Sequence, residues 1–254
     1  MFSLEKSLRC LMGHNFDKAK EGYVNLFIKN GSGKRHGDDK LMVNARKDFL
    51  NKGYYAPLRQ KLGEILGEGN TVLDAGCGEG YYTSLFAEKN MVCGIDISKD
   101  ALKYAAKNCK NSAFAVASIA EIPLADKSVD RVINIFAPES LKEFSRVLKK
   151  DGRFITVQPL ENHLFELKEK VYNKPYKNPS PLLEKEGFEL ISTEKIKYEI
   201  CLDNNEDIVN LFKMTPYYYK TSAKDQQKLQ NLNTLTTTIE FFVAVYGKLD
   251  FFDI

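Results

Sequence analysis

The 254-residue chain contains no run of about 18 or more apolar residues, and its first residues lack the apolar core of a signal peptide. Nothing in it therefore directs insertion into or passage through a membrane, and the cytoplasm is the expected compartment. It also lacks any C-x-x-C pair. The five cysteines, Cys10, Cys77, Cys93, Cys109 and Cys201, are odd in number and scattered. That argues against a disulfide framework and predicts that most are small buried residues in a reducing compartment. Internal repeats and low-complexity tracts are absent too. What is present is the balance of a globular protein, 43% apolar and 28% charged, long enough for one large domain with a small appendage.

The net charge of +3 conceals an asymmetry: residues 1 to 61 hold 13 Lys or Arg against 6 Asp or Glu, whereas the rest holds 24 against 28. A basic front on a mildly acidic body suits an enzyme that grips a polyanion, although basic amino termini are common in any case. Asn30-Gly31-Ser32-Gly33, followed by Lys34-Arg35-His36-Gly37-Asp38-Asp39, is dense in turn formers and charges. A boundary belongs there, between a β-rich module over 1–36, with Tyr23 to Ile28 as a short strand, and a main domain over 37–254.

In the main domain, Leu41, Ala45 and Phe49, then Leu58, Leu62 and Ile65, recur at helical spacing, broken at Gly53 and Pro57; two helices are expected. Strands and helices then alternate. Strands are expected over 71–75, 91–95, 113–117, 129–136 and 152–158, with helices over 81–88, 99–107 and 140–148. Continuous apolar strands separated by amphipathic helices indicate a parallel sheet covered on both faces, a doubly wound α/β fold. Beyond it, helices near 163–172 and 206–213 and strands near 188–201 and 236–246 suggest an antiparallel pair closing one edge. The insert between them, including Met214-Thr215-Pro216-Tyr217-Tyr218-Tyr219, would lie over the carboxyl ends of the strands, where such sheets bind ligands.

The glycines of Val72-Leu73-Asp74-Ala75-Gly76-Cys77-Gly78-Glu79-Gly80 follow the first strand. Gly76, Gly78 and Gly80 can take a tight turn and let a ligand approach the backbone, but that pattern alone fits several nucleotide-binding folds. Asp96, 22 residues after Asp74 at the end of the next strand, can accept both ribose hydroxyls. An NAD enzyme would show the same acid. Asp74 leans the choice, because an acid ahead of the glycine turn suits a sulfonium and an α-amino group and would repel a pyrophosphate. It could also merely cap the turn.

Asp74-x-Gly76-x-Gly78-x-Gly80, Asp96-Ile97, the Ala117-Ser118 turn before Ile122-Pro123-Leu124, and Lys150-Asp151-Gly152-Arg153-Phe154 together resemble the class I S-adenosylmethionine-dependent methyltransferases. The resemblance implies a Rossmann-like fold and S-adenosylmethionine as cofactor. It puts Asp96 at the ribose, the Gly76 to Gly80 turn at the methionine moiety, and Ser118 with Ile119 at the adenine, with Ile97 a further cofactor contact. Two further stretches, Gly13-His14-Asn15-Phe16-Asp17-Lys18-Ala19-Lys20-Glu21-Gly22-Tyr23 and Cys77-Gly78-Glu79-Gly80-Tyr81-Tyr82-Thr83, are similar to one family, the bacterial 23S rRNA (guanine-N1)-methyltransferases. The likeness continues through Gly53-Tyr54-Tyr55-Ala56-Pro57-Leu58, Ile135-Phe136-Ala137-Pro138, His163-Leu164-Phe165-Glu166-Leu167-Lys168 and Met214-Thr215-Pro216.

That family modifies a guanine in a hairpin loop of 23S ribosomal RNA and includes enzymes linked to macrolide resistance. The resemblance implies cofactor contacts at Tyr55, Tyr82, Thr83 and His163, and a homodimer whose cleft accepts the hairpin. Without it, Tyr55 and Tyr82 would read as core aromatics and His163 as a helix cap. The family's amino-terminal zinc site uses a C-x-x-C pair, then a Cys and a His. Here Cys10 and His14 match the second half only, so zinc should bind weakly or not at all. Lys18, Lys20, Lys29, Lys34 and Arg35 remain as phosphate contacts. A target base must be splayed out and stacked; Phe136, Tyr217, Tyr218 and Tyr219, with Pro138 at the edge, are candidates, and no catalytic base is identified. The alternatives are a small-molecule methyltransferase that has lost its RNA module, or a non-catalytic RNA-binding relic.

Overall fold

The structure, a computed structural model, describes residues 2–3, 6–10, 12–27 and 37–249. Lys29, Lys34, Arg35 and the turn cluster from Asn30 to His36 lie outside the described residues. At the front, β1 (Phe2–Ser3), β2 (Ser7–Arg9) and β3 (Asn15–Asp17) form a small antiparallel sheet. The next strand, β4 (Val24–Asn25), leaves that sheet and pairs in parallel with the main one.

The main domain follows as α1 (Lys40–Asn51), α2 (Ala56–Leu66), β5 (Thr71–Ala75), α3 (Tyr81–Phe86), β6 (Met91–Asp96), α4 (Lys99–Asn108), β7 (Ser112–Val116), β8 (Val129–Ile135), α5 (Leu141–Val147), β9 (Leu148–Pro159) and α6 (Phe165–Val171). Then come β10 (Phe188–Leu202), α7 (Asn205–Lys213), two short helices, α8 (Tyr217–Lys220) and α9 (Ala223–Gln226), and β11 (Leu235–Lys248). The eight strands stand in the order β10-β11-β9-β8-β5-β6-β7-β4. All pairings are parallel except those of β11, which runs antiparallel to both β9 and β10. The chain winds outward from β5 to β7, then returns to β8 on the other side of β5. The crevice at that switch point opens at the carboxyl ends of β5 and β8, the position where open α/β sheets take ligands.

Both faces are covered. Val72, Val92, Ile133, Ile155 and Val243 pack with α1 to α4, α6 and α7, while Leu73, Ile95, Val132, Phe154 and Ala244 pack with α5. Helix α1 is capped by Asp39, whose Oδ1 accepts from the Met42 amide at 2.9 Å. Its buried stripe is Met42, Ala45 and Phe49 with Val43 and Leu50, and Leu41 is exposed; the expected stripe was one residue out of phase at its start. Phe49 is fully buried, a burial that contributes about 2–3 kcal/mol. It stacks on Tyr54 at 4.7 Å and meets Tyr55 edge-on at 5.6 Å, so the core of α1 fixes the tyrosine that faces the crevice.

Of the cysteines, only Cys77 and Cys109 are buried; Cys10 and Cys93 are half-buried and Cys201 is exposed. The expectation that most are buried fails because Cys201 sits on edge strand β10, whose outer positions are solvated, and Cys10 lies beside the small front sheet. No helix among the described residues is long and apolar enough to cross a membrane.

Candidate functional site

Strand β5 ends in Asp74 and Ala75, and the turn that follows carries positive φ at Gly76 (86°), Gly78 (55°) and Gly80 (85°). At Gly76 a Cβ would stand 2.5 Å from the Ala137 Cβ, so any side chain there would push the turn away from the segment after β8. Asn134, buried in β8, ties the two together: its Nδ2 donates to the carbonyls of Ala75 at 3.1 Å and Pro138 at 2.9 Å. Beside this turn lies a cavity of about 760 Å³ lined from both sides of the switch point.

The cavity gathers most of the residues expected from sequence. Tyr55, Asp74, Gly76, Gly78, Tyr82, Asp96, Ile97, Ser118, Ile119 and His163 all line it, as do Phe136, Pro138 and Tyr217. Gly80 and Thr83 stand behind the lining. Thr83 is fully buried and donates from Oγ1 to Asp74 Oδ2 at 2.6 Å, which orients the carboxylate and leaves its other oxygen for the cavity. Tyr218 packs on Phe212, and the Tyr219 hydroxyl donates to Asp39 at 2.6 Å; neither lines the cavity.

Burial raises the Asp74 carboxyl to about 7, against the Thr83 hydrogen bond, with Asp96 and Glu79 adding repulsion. Asp96 is also raised by burial, an effect opposed by two backbone donors: the amides of Ser98 at 2.8 Å and Gly78 at 2.9 Å. These fix the Asp96 carboxylate at the tip of β6, beside Ile97 and across from Ser118.

His163, on the same cavity, is buried and its pKa is lowered to about 3, first by burial and then by Lys168. Its Nδ1 accepts from the Glu240 amide at 3.3 Å, which leaves the proton on Nε2, 3.5 Å from the Tyr55 hydroxyl. The ring is thus a neutral donor. Phe136 has φ 55°, unusual for a residue with a side chain, and its half-exposed ring packs on Phe241 at 5.0 Å. Such strain is held at sites by the structure around it; here the Phe136 amide donates to the Val157 carbonyl at 3.2 Å. Tyr217 closes the rim, its hydroxyl donating to Asn178 Oδ1 at 3.0 Å.

Sequence reasoning missed Asp38, Arg46, Glu79 and Gln158, which also line the cavity. Arg46 Nη1 lies 2.6 Å from Asp38 and 3.8 Å from Glu79. The Glu79 Oε2 and the Tyr82 hydroxyl are buried without hydrogen-bond partners among the described residues, and buried polar atoms are rarely left so unless a ligand completes them. A glycine cradle, four acids and two unsatisfied polar atoms fit a cofactor with a sulfonium, an ammonium and a ribose.

The amino-terminal pair is less complete. Cys10 Sγ lies 3.3 Å from His14 Nδ1, but no group of three or more His, Cys, Asp or Glu able to hold a metal occurs among the described residues. Two donors do not close a tetrahedral shell, so this set does not fit zinc.

A methyltransferase-domain model matches residues 66–234 and a zinc-ribbon model, described as RlmA, N-terminal, matches residues 2–28. The fold is shared with solved structures of a provisionally assigned methyltransferase of Bacillus halodurans C-125 (17% identity, TM-score 0.54, 76% of this chain and 99% of that one) and the YcgJ protein of Bacillus subtilis (16%, 0.54, 77% and 99%). The chain is therefore a class I S-adenosylmethionine-dependent methyltransferase. A Bacillus subtilis (strain 168) protein provisionally named 23S rRNA (guanine-N(1)-)-methyltransferase YxjB is 31% identical over 96% of this chain and 92% of its own length. The 23S rRNA (guanine(748)-N(1))-methyltransferase of Streptomyces fradiae is 34% identical over 65% of this chain and 62% of its own length. The chain belongs to this family of 23S rRNA (guanine-N1)-methyltransferases.

Proposed function

We propose that the protein transfers a methyl group from S-adenosylmethionine to N1 of a guanine in a hairpin loop of 23S ribosomal RNA, in the cytoplasm. The observation that carries this reading is the nearly full-length likeness to YxjB, supported by a cavity in which cofactor and base residues meet. The cofactor supplies an electrophilic methyl for an in-line displacement, so the protein's task is to position two reactants and exclude water. Asp96 accepts from the ribose hydroxyls, Ile97, Ser118 and Ile119 flank the adenine, and Asp74, steadied by Thr83, accepts from the α-ammonium. Gly76, Gly78 and Gly80 let the methionine moiety lie against the backbone. Tyr55, Tyr82 and His163 line the methionine end, and Phe136, Pro138 and Tyr217 receive the target base.

The test is methylation of 23S rRNA hairpins with labelled S-adenosylmethionine, followed by mass mapping of nucleosides. The expected product is 1-methylguanosine; label at any other atom rejects the proposal. The incomplete Cys10–His14 pair favours one second reading, a small-molecule methyltransferase without an RNA grip. RNA binding that weakens steeply with salt speaks against it. A homodimer that grips the hairpin between its subunits rests on the family likeness and is checked by light scattering with and without RNA.

A further inference from the structure

One polar cluster touches the cavity without serving the cofactor. Gln158, near the end of β9, lines the cavity beside Pro159 and across from Phe136 and Pro138. Its Nε2 donates to Glu139 Oε1 at 3.3 Å, and the same oxygen accepts from Thr156 Oγ1 at 2.9 Å. The other Glu139 oxygen is ion-paired with Lys185, whose side chain is 6% exposed. A carboxylate held by an ammonium only accepts, so the Gln158 amide is locked with its NH2 toward Glu139. Glu139 does not line the cavity. The polar atom that Gln158 offers to the cavity is therefore its carbonyl oxygen, which accepts no hydrogen bond among the described residues.

We propose that Gln158 selects guanine by accepting a hydrogen bond from its exocyclic 2-amino group, with Glu139 and Lys185 as positioning residues. The inference rests on the guanine-N1 reading above. When N1 faces the methyl donor, the 6-oxo group beside it only accepts and the 2-amino group is the donor that remains on that edge. Hypoxanthine and adenine lack it. A glutamine free to turn would offer either end of its amide and discriminate poorly; tethered to Glu139, it presents an acceptor alone. Where a site is built to hydrogen-bond a substrate group, the analogue without that group leaves the site's own polar atom unpaired.

The test compares kcat/KM on a 23S rRNA hairpin carrying guanine at the methylated position with the same hairpin carrying hypoxanthine there, the products being 1-methylguanosine and 1-methylinosine. The wild type should prefer guanine by about tenfold, the scale of one lost hydrogen bond in a polar site. Gln158→Met, which keeps the volume and loses the acceptor, should bring the two substrates within about twofold. Its affinity for S-adenosylmethionine, measured by calorimetry, reports that the fold is intact. Glu139→Gln leaves Gln158 in place but lets its amide turn, and should lower the preference as well, which a merely structural role for Glu139 would not do. A wild type indifferent to the 2-amino group, or a Gln158→Met enzyme that keeps the preference, overturns the inference and leaves the guanine-N1 function standing. The wild-type comparison alone decides this if the variants fail to fold. Absence of 1-methylguanosine from every 23S rRNA hairpin instead rejects the function, and the inference with it.

Discussion

The free enzyme should bind S-adenosylmethionine more tightly as the pH rises from 6 to 7.5, and Asp74 is the reason. The residue is 2% exposed and burial raises its carboxyl to about 7, so near neutrality it is only half ionised. A neutral carboxyl offers a ligand ammonium far less than a carboxylate does. For an acid of pKa about 7 the ionised fraction falls from roughly three-quarters at pH 7.5 to about one-tenth at pH 6. If the complex takes only the carboxylate, Kd weakens about eightfold across that span and close to one proton is released per cofactor bound at pH 6. The window stops at 7.5 because the ligand's own α-amino group titrates near ~8.

Titration calorimetry in two buffers of different ionisation enthalpy measures both quantities. Asp74→Asn should bind more weakly at pH 7.5 and show a flat profile. The same shift acts in the opposite sense on the empty protein: a carboxyl whose folded pKa lies above its unfolded value of about 3.9 gives full stability below that value and loses it as pH rises through about 7, by up to about 4 kcal/mol. Asp74→Asn should therefore raise the melting temperature of the free protein at pH 8. A wild-type Kd that does not move between pH 6 and 7.5, or an Asn variant that keeps the slope, would refute this reading of Asp74.

Gly76→Ala places a Cβ 2.5 Å from Ala137 at φ 86° and should cost about 2 kcal/mol or more, with loss of cofactor binding seen by calorimetry. His163, lowered to about 3, should show no titration of its ring carbon resonances between pH 5 and 8. Because its folded value lies below the unfolded one, stability should fall as pH drops below about 6.5. Lys168 is buried and donates to Asn178 Oδ1 at 2.7 Å and to the Tyr176 carbonyl at 3.1 Å. Lys168→Met should loosen Tyr217 through Asn178 and raise KM for RNA more than it lowers affinity for S-adenosylmethionine. Elemental analysis of protein purified with zinc present should find well below one zinc per chain, and Cys10→Ser should leave the melting temperature unchanged.

The sequence carried the site wherever chemistry and backbone coincide in one short stretch. Asp74, the three glycines and Asp96 are legible because a single βαβ unit needs positive φ after its first strand and an acid at the end of its second. Arg46, Asp38 and Glu79 were not legible. Asp38 approaches from just before α1 and Arg46 from its middle, and no local pattern says which face of that helix meets a turn more than thirty residues later. The phase error at Leu41 has the same origin: an apolar stripe read at three-to-four spacing tolerates a rotation of about 100°, and the Asp39 cap and the packing of Phe49 on Tyr54 and Tyr55 decide it. Strand β4 was legible as a strand, but its partner was not, since only the three-dimensional register sets Val24 opposite Ala115.

The missed residues change how the pocket works. Asp38, Asp74, Glu79 and Asp96 bring four acids to one cavity against a single guanidinium, Arg46. Burial raises three of them, Asp74, Glu79 and Asp96, above their ordinary values, so the empty pocket holds its charge at a cost in stability. A cationic cofactor relieves that cost on binding, whereas an anionic one would add to it. Along the sequence, the excess of Lys and Arg falls in residues 1 to 61. An acidic pocket disfavours phosphates and tolerates an uncharged base, which is the part of RNA that N1 chemistry requires.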